Sequence, residues 1–386
     1  MTDSPLQILH VVRTRSFAGV EQFVRRLAIA QAGAGHRVAV IGGDPAQMAP
    51  ELHAAGVGFT ASGSGIRDVL LIRRTARDAD VVATHMTAAD AAAATALVGR
   101  DAALVATRHF TRRRGSRAPR PVYPAIERRI DAEIAISEAV ARSIGIPSTV
   151  VHSGVADASA PADTTRSRTV LMAQRLQPEK RTRIGLAAFA ASGLADDGWR
   201  LQIAGAGPEL PLLEQDAASL GVSRAVDLLG FRVDVAQLYR RAGLFIAPCA
   251  VEGLGLSLLE AMATGLPAVA ADAGGHSEIL AGLDPRALFP ADDVATAARS
   301  LRSLADDDGG RAALGAGGRE RQRAEFSIAS QLAGTEAVYR AAIAARRRGA
   351  GTEDNEAAGA CAADAPSDRL GRGSRTSQAP DRGPVR

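Results

Sequence analysis

Two carboxylates and two glycines are concentrated in one short stretch, Glu252-Gly-Leu-Gly-Leu-Ser-Leu-Leu-Glu260, which runs on through Ala-Met-Ala-Thr-Gly-Leu-Pro267. Gly253 and Gly255 let backbone approach a ligand closely, and a helix opening behind them aims its free N–H groups at the same spot. Anions and hydroxyl-rich groups bind at such a place. Glu260 lies about 80° past two helical turns from Glu252, so both carboxylates reach one end of a cleft. Ionised carboxylates only accept hydrogen bonds, which suits paired hydroxyls, one pair on a sugar ring and one on a ribose. Taken singly, Glu252 would be a helix N-terminal charge and Glu260 an exposed helix residue; the glycines beside them favour binding.

A second stretch, Ala173-Gln-Arg175-Leu-Gln-Pro-Glu-Lys180-Arg181, follows a strand pattern and places Arg175 and Lys180 where they would neutralise a diphosphate. Lys180 is the sole lysine among 46 basic side chains. A compact ammonium fits a crowded phosphate pocket, whereas Arg offers a planar fork. Other candidates read as structural. Asp78 and Asp80 have metal-binding spacing but no companion carboxylates. Gly205-Ala-Gly207 is a weak phosphate motif and a tight strand-to-helix turn. His85 and His276, each alone, read as hydrogen-bonded structural histidines or cleft donors.

These residues need strands and helices to converge them. Leu6–Val12, Arg37–Ile41, Asp80–Thr84, Ala103–Thr107, Ala132–Ile136 and Thr149–His152 read as strands, with helices such as Val20–Ala32 between them. Ala156–Ser167 is a polar linker. A second series follows at Thr169–Ala173, Arg200–Ala204, Ala225–Leu229, Leu244–Ala247 and Ala268–Ala271, closed by a helix from Ile328 to about Arg346. Alternating strands and helices imply parallel sheets covered on both faces. The expected organisation is α/β: residues 1–155 one Rossmann-like domain, 156–346 a second, and 347–386 a disordered tail without apolar periodicity.

The motifs resemble those of the retaining glycosyltransferases of family four, the group 1 glycosyltransferases with the GT-B fold, in which two Rossmann-like domains face each other across a cleft. Glu252 to Pro267 with Gly274-Gly275-His-Ser-Glu278 is similar to that family's donor motif. Gln174-Arg175-Leu176 through Lys180, Ala204-Gly-Ala-Gly207-Pro208, and Gly230-Phe-Arg-Val-Asp234 follow in the family's order. In the first half, Ala18-Gly19-Val20-Glu21, Thr107-Arg108-His109, Ile136-Ser137-Glu138 and Ser153-Gly154-Val155 are similar to family stretches. The resemblance implies Arg175 and Lys180 on the donor diphosphate, Glu260 on the ribose, and Glu252 with Gly253, Leu254, Gly255 and Leu256 on the transferred sugar. It further implies Gly19 against the phosphate and His109 facing the sugar. Ala18, Ser153 and Ala83 stand where the family has a glycine, an asparagine and a histidine. The resemblance also implies an acceptor-side role for the domain at 1–155 and a nucleotide-sugar donor role for that at 156–346, a terminal helix that packs back on the first domain, and retention of anomeric configuration without a divalent metal. No cofactor is expected, because the nucleoside diphosphate sugar is itself the donor substrate. The alternatives are a nucleotide-sugar epimerase and a catalytically silent sugar-nucleotide or lipid-head-group binder.

Composition narrows the rest. A hydrophobic fraction of 46% with 23% charged residues is that of a globular protein. The net charge of +4 carries no aromatic-basic interleaving, which argues against nucleic acid. The absence of a leader pattern, of a spanning apolar run and of any cysteine beyond Cys249 and Cys361 points to a cytoplasmic protein without disulfides. The acceptor is expected to be a glycan, a lipid-linked group or a small molecule. Arg112, Arg113, Arg114, Arg117, Arg120, Arg128 and Arg129, interleaved with Phe110, Val122, Tyr123 and Ile126, suggest peripheral contact with an anionic inner membrane face.

Overall fold

The computed structural model describes residues 4–112, 123–158 and 166–362, with side chains as far as Arg348. The first half forms β1 (Gln7–Val12), β2 (Arg37–Ile41), β3 (Gly58–Thr60), β4 (Val81–His85), β5 (Ala103–Arg108), β6 (Ala132–Ala135) and β7 (Thr149–Val150). They pair in parallel in the order β3-β2-β1-β4-β5-β6-β7. The second half repeats the plan with β8 (Thr169–Ala173), β9 (Arg200–Ala204), β10 (Val226–Gly230), β11 (Leu244–Ala247), β12 (Ala268–Ala271) and β13 (Leu288–Phe289). Their order, again parallel, is β10-β9-β8-β11-β12-β13. In each sheet the winding reverses beside its first strand, between β1 and β4 and between β8 and β11, and such sheets bind ligands beyond the strand ends at that switch point.

Strand alternation fixes what each face buries. In β1 it sends Ile8, His10 and Val12 one way and Leu9 and Val11 the other. Leu9 and Val11 pack with Ile72, Ala89 and Ala93; Ile8 and Val12 join a core continuous with that of the second domain. β8 and β11 are buried at every position, as strands covered on both faces are. The helix Gly19–Gly33 covers β1 with a stripe of Val20, Phe23, Val24, Leu27, Ala28 and Gln31 at spacings of three and four. Its start is closed by Glu21, which accepts from the Ala18 N–H at 2.8 Å and from the Thr14 hydroxyl at 2.5 Å.

The two crossings between the domains touch. Val155 N donates to the Phe326 carbonyl at 3.0 Å, and Gly154 N donates to Gln331 Oε1 at 2.7 Å. The terminal helix, Ile328–Ala362, then runs against the first domain: Glu336 meets His36 at 2.7 Å, Arg346 meets Asp131 at 3.2 Å, and Tyr339 is fully buried.

Two features depart from the sequence reading. The edge strands β3 and β13 carry no pattern of their own, being three and two residues long. The terminal helix runs to Ala362, past the expected end near Arg346; residues 363–386 lie outside the described residues. From Arg347 onward the chain forms a separate unit from the compact body that ends at Arg346.

Candidate active site

The ends of β8 and β11 deliver the central pair. Beyond β8 the chain makes a short turn, Pro178–Lys180, and Arg181 follows at φ +54°. Beyond β11 it passes the buried Cys249 to Glu252. Lys180 Nζ lies 2.5 Å from Glu252 Oε2, with both side chains largely enclosed. The helix Leu256–Ala263 begins immediately after, and Gly255, at φ +113°, shapes the turn into it; a Cβ there would lie 2.8 Å from His276 Cδ2. Its unpaired N–H groups therefore open beside an ion pair at a sheet switch point.

The first domain closes on this loop. A Cβ at Gly253 would come within 2.7 Å of the His109 carbonyl oxygen, so only glycine admits that approach. Ser137 Oγ donates to the Gly253 carbonyl at 2.6 Å. A Cβ on Gly19, at the head of its helix, would sit 3.9 Å from Leu256 Cδ1. Glu278 reaches the other way, accepting from the N–H groups of Glu138 at 2.9 Å and Ala139 at 3.2 Å and from His152 at 3.1 Å. Met86 stands at φ +77° directly after His85, as Arg181 does after Lys180, so non-glycine backbone strain falls beside the site in both domains.

Burial pushes the Glu252 carboxyl up, but the Lys180 ammonium, by its charge and its hydrogen bond, more than reverses this and holds it below its ordinary range. The Glu252 carboxylate is thus charged at neutral pH. Burial lowers His276 to about 4 and raises the Cys249 thiol to about 11, so neither ring nor thiol is charged there. Glu278 is likewise held low: burial opposes the shift, and the hydrogen bonds from His152, Glu138 and Ala139 outweigh it.

The sequence-predicted residues separate into groups. Lys180, Glu252, Gly253 and Gly255 converge, with Leu254 buried beneath them and Leu256 opposite Gly19. His109 is buried and abuts Gly253 through its backbone. Arg175 turns outward, 63% exposed, and pairs with Glu179 at 3.3 Å rather than joining Lys180. Glu260 is engaged across the domains by Arg26 at 2.6 Å. Tyr239 adjoins Glu260, and its hydroxyl is pushed well above its usual pKa by burial and then by that carboxylate. Asp80 accepts from the Gln7 N–H at 2.9 Å, a structural role. Among the described residues no group of three or more His, Cys, Asp or Glu could hold a metal, and no helix is long and apolar enough to cross a membrane. Of the basic stretch, Arg113, Arg114, Arg117, Arg120 and Val122 lie outside the described residues, and Arg129 turns inward to Asp131 at 2.9 Å. Sequence reading assigned no part to Arg26, His10 or Gln31. A lone polar residue in the apolar run Leu6–Val12 was the available signal for His10.

Two parallel sheets that present their switch points to each other, one carrying a lysine–glutamate pair at a glycine-rich helix start, define a two-domain GT-B architecture. The family model described as Glycosyl transferases group 1 matches residues 158–321, and that of Glycosyltransferase Family 4 matches residues 17–158. The chain belongs to the group 1 glycosyltransferases. It is 30% identical over 231 residues to the lipopolysaccharide core biosynthesis mannosyltransferase LpsB of Rhizobium meliloti, covering 55% of this chain and 66% of that one. It is 35% identical over 191 residues to a D-inositol 3-phosphate glycosyltransferase of Salinispora arenicola, covering 47% of this chain and 42% of the relative. The matched region thus spans less than two thirds of these curated relatives. In structure, the chain is similar to a glycosyltransferase from Rickettsia africae, with a TM-score of 0.75 at 16% identity over 88% of this chain and 99% of that one. It is also similar to HepE of Anabaena, solved with UDP and glucose, with a TM-score of 0.73 at 19% identity over 86% and 99% of the two chains.

Proposed function

We propose that the chain transfers a hexose-type sugar from a nucleoside diphosphate to a glycan, glycolipid or small-molecule acceptor, with retention of anomeric configuration and without a divalent metal. The observation that carries this reading is the enclosed Lys180–Glu252 pair at the start of Leu256–Ala263, facing His109 and Gly19 across the domain boundary. Cleavage of a sugar–phosphate bond builds negative charge on the departing diphosphate, and fixed donors that meet it supply much of the catalysis. Lys180 and the helix N–H groups serve that role, and Arg175 can swing in from the rim. Glu252, already bound by an ammonium at 2.5 Å, is a poor nucleophile and a good acceptor for sugar hydroxyls. The leaving phosphate oxygen then takes the acceptor's proton. The curated relatives named above include a mannosyltransferase and an inositol phosphate glycosyltransferase, and a structural neighbour was solved with UDP and glucose, all of which fit such a donor and a hydroxyl acceptor. The acceptor enters from the first domain, whose sequence from 108 to 129 is basic and suits an anionic acceptor or lipid surface.

The test is product stereochemistry and metal dependence. Donor sugars on UDP, GDP and ADP are incubated with candidate acceptors in excess EDTA, and the new anomeric centre is read by NMR. Transfer with the donor's configuration supports the reading; transfer only after divalent metal is restored, or with inverted configuration, overturns it.

A further inference from the structure

A row of hydrogen-bonded rings runs through the first domain behind His109. His10 Nε2 lies 2.7 Å from Gln31 Oε1, His10 Nδ1 lies 3.1 Å from His85 Nε2, and His85 Nδ1 lies 3.1 Å from His109 Nε2. All four side chains are buried. They occupy one face of the sheet under the helix Gly19–Gly33, which contributes Gln31 and also Phe23, packed edge-on against His109 at 4.7 Å. Strand register explains how the row forms. His10 in β1 is the neighbour of Ala83 in β4, and Val12 is the neighbour of His85. Ala83, paired with His10 and two positions from His85 on the same strand, shares their face of the sheet, and its small side chain leaves room for the two rings to meet.

A neutral imidazole carries one N–H and one lone pair, and each nitrogen–nitrogen contact needs one of each. Burial keeps the rings neutral, lowering His10 to about 4, His109 to about 3 and His85 well below its ordinary value. Three neutral rings in a row must therefore share one tautomer, head to tail. The carbonyl oxygen of Gln31 selects it. Gln31 Oε1 accepts a hydrogen bond from His10 Nε2–H, His10 Nδ1 accepts one from His85 Nε2–H, and His85 Nδ1 accepts one from His109 Nε2–H. His109 Nδ1 is the one nitrogen of the three rings outside the row. The other end of the Gln31 amide adjoins the hydroxyl of the fully buried Tyr339, from the terminal helix. An amide neither gains nor loses a proton at these pH values, so the row sets direction and conducts nothing outward.

We propose that Gln31, His10 and His85 are positioning residues that fix the tautomer of His109, so that its Nδ1 offers a lone pair, not an N–H, to a substrate hydroxyl in the cleft. The role at the cleft rests on the sugar-transfer reading above; the tautomer itself does not. An N–H at that nitrogen would repel the donor hydrogen that a lone pair accepts, so the amide orientation at Gln31 decides what His109 recognises from three side chains away.

The experiment uses the full chain labelled with 15N at histidine, without substrate, and long-range proton–nitrogen correlation spectra assigned by single His→Gln variants. All three rings should show a protonated Nε2 and an unprotonated Nδ1. In Gln31→Met the anchor is lost, and the nitrogen shifts of His10, His85 and His109 should all move together toward mixed values. If that variant does not fold, His10→Phe severs the same row and should shift His85 and His109. A protonated Nδ1 on wild-type His109 overturns the proposal, as does movement confined to His10 in Gln31→Met. Because no turnover is measured, failure of the sugar-transfer reading would leave this result unchanged.

Discussion

Acid should unfold this protein through its buried histidines before its carboxylates respond. His10 and His276 are lowered to about 4 and His109 to about 3, in each case chiefly by burial. In the unfolded chain these rings titrate near 6.5. A base whose folded pKa lies below its unfolded value is protonated first in the unfolded chain as pH falls. The stability is therefore complete above about pH 6.5 and drains as pH drops toward about 4 for His10 and His276 and about 3 for His109. At about pH 5 each ring costs about 2 kcal/mol, so the three together remove about 6 kcal/mol. His85, lowered for the same reason and by its two neighbouring rings, acts in the same direction. Such a loss is a large fraction of the roughly 5–15 kcal/mol that holds a folded protein together. The assay is urea unfolding followed by far-ultraviolet circular dichroism at about pH 7.5, 6 and 5. The midpoint should fall steeply over that range, and His10→Phe, which keeps a flat buried ring without the titrating group, should lose about 2 kcal/mol less across it. A midpoint that stays constant from pH 7.5 to 5 in the wild-type chain would refute the reasoning.

Three further outcomes follow from particular contacts. Gly253→Ala places a methyl 2.7 Å from the His109 carbonyl and should open the domain junction, lowering turnover tenfold or more by about 1.4 kcal/mol of lost alignment while the melting profile stays cooperative. Arg26→Ala frees Glu260 from a partly exposed pair worth about 0–1 kcal/mol, so stability should scarcely change while calorimetric affinity for the free nucleotide rises several-fold. Truncation after Arg348 should leave melting and turnover unchanged, because the Tyr339, Glu336 and Arg346 contacts remain, whereas truncation at Ser327 removes them and should destabilise the first domain in a thermal melt.

The sheet strands and the donor loop were legible because their signals are local. Thr169–Ala173, Arg200–Ala204, Leu244–Ala247 and Ala268–Ala271 are apolar runs bounded by loop residues, and each forms a strand over those residues. β3 and β13 were not legible, since Gly58–Thr60 and Leu288–Phe289 become strands only by pairing with β2 and β12. The lone lysine and the Glu252 loop could be singled out by type and spacing, and the fold brings them to 2.5 Å. The outward turn of Arg175 could not be read, because Glu179 competes for it one helical turn away. Nor could Arg26 on Glu260, which are 234 positions apart, or the row behind His109, where His10 on β1, His85 on β4 and His109 just past β5 meet only once β4 lies between β1 and β5.

The most direct measurement of the central claim is nucleotide release by wild-type chain and by Lys180→Ala, supplied with UDP-, GDP- and ADP-sugars with and without acceptors. The wild type should release nucleotide from at least one donor and do so faster with an acceptor. Lys180→Ala should fall by tenfold or more, since a charge-assisted hydrogen bond is worth about 1.5–3 kcal/mol, and should keep a cooperative melt. Near-wild-type turnover in Lys180→Ala, or a folded wild-type chain that releases nucleotide from none of these donors under any acceptor condition, would contradict the account.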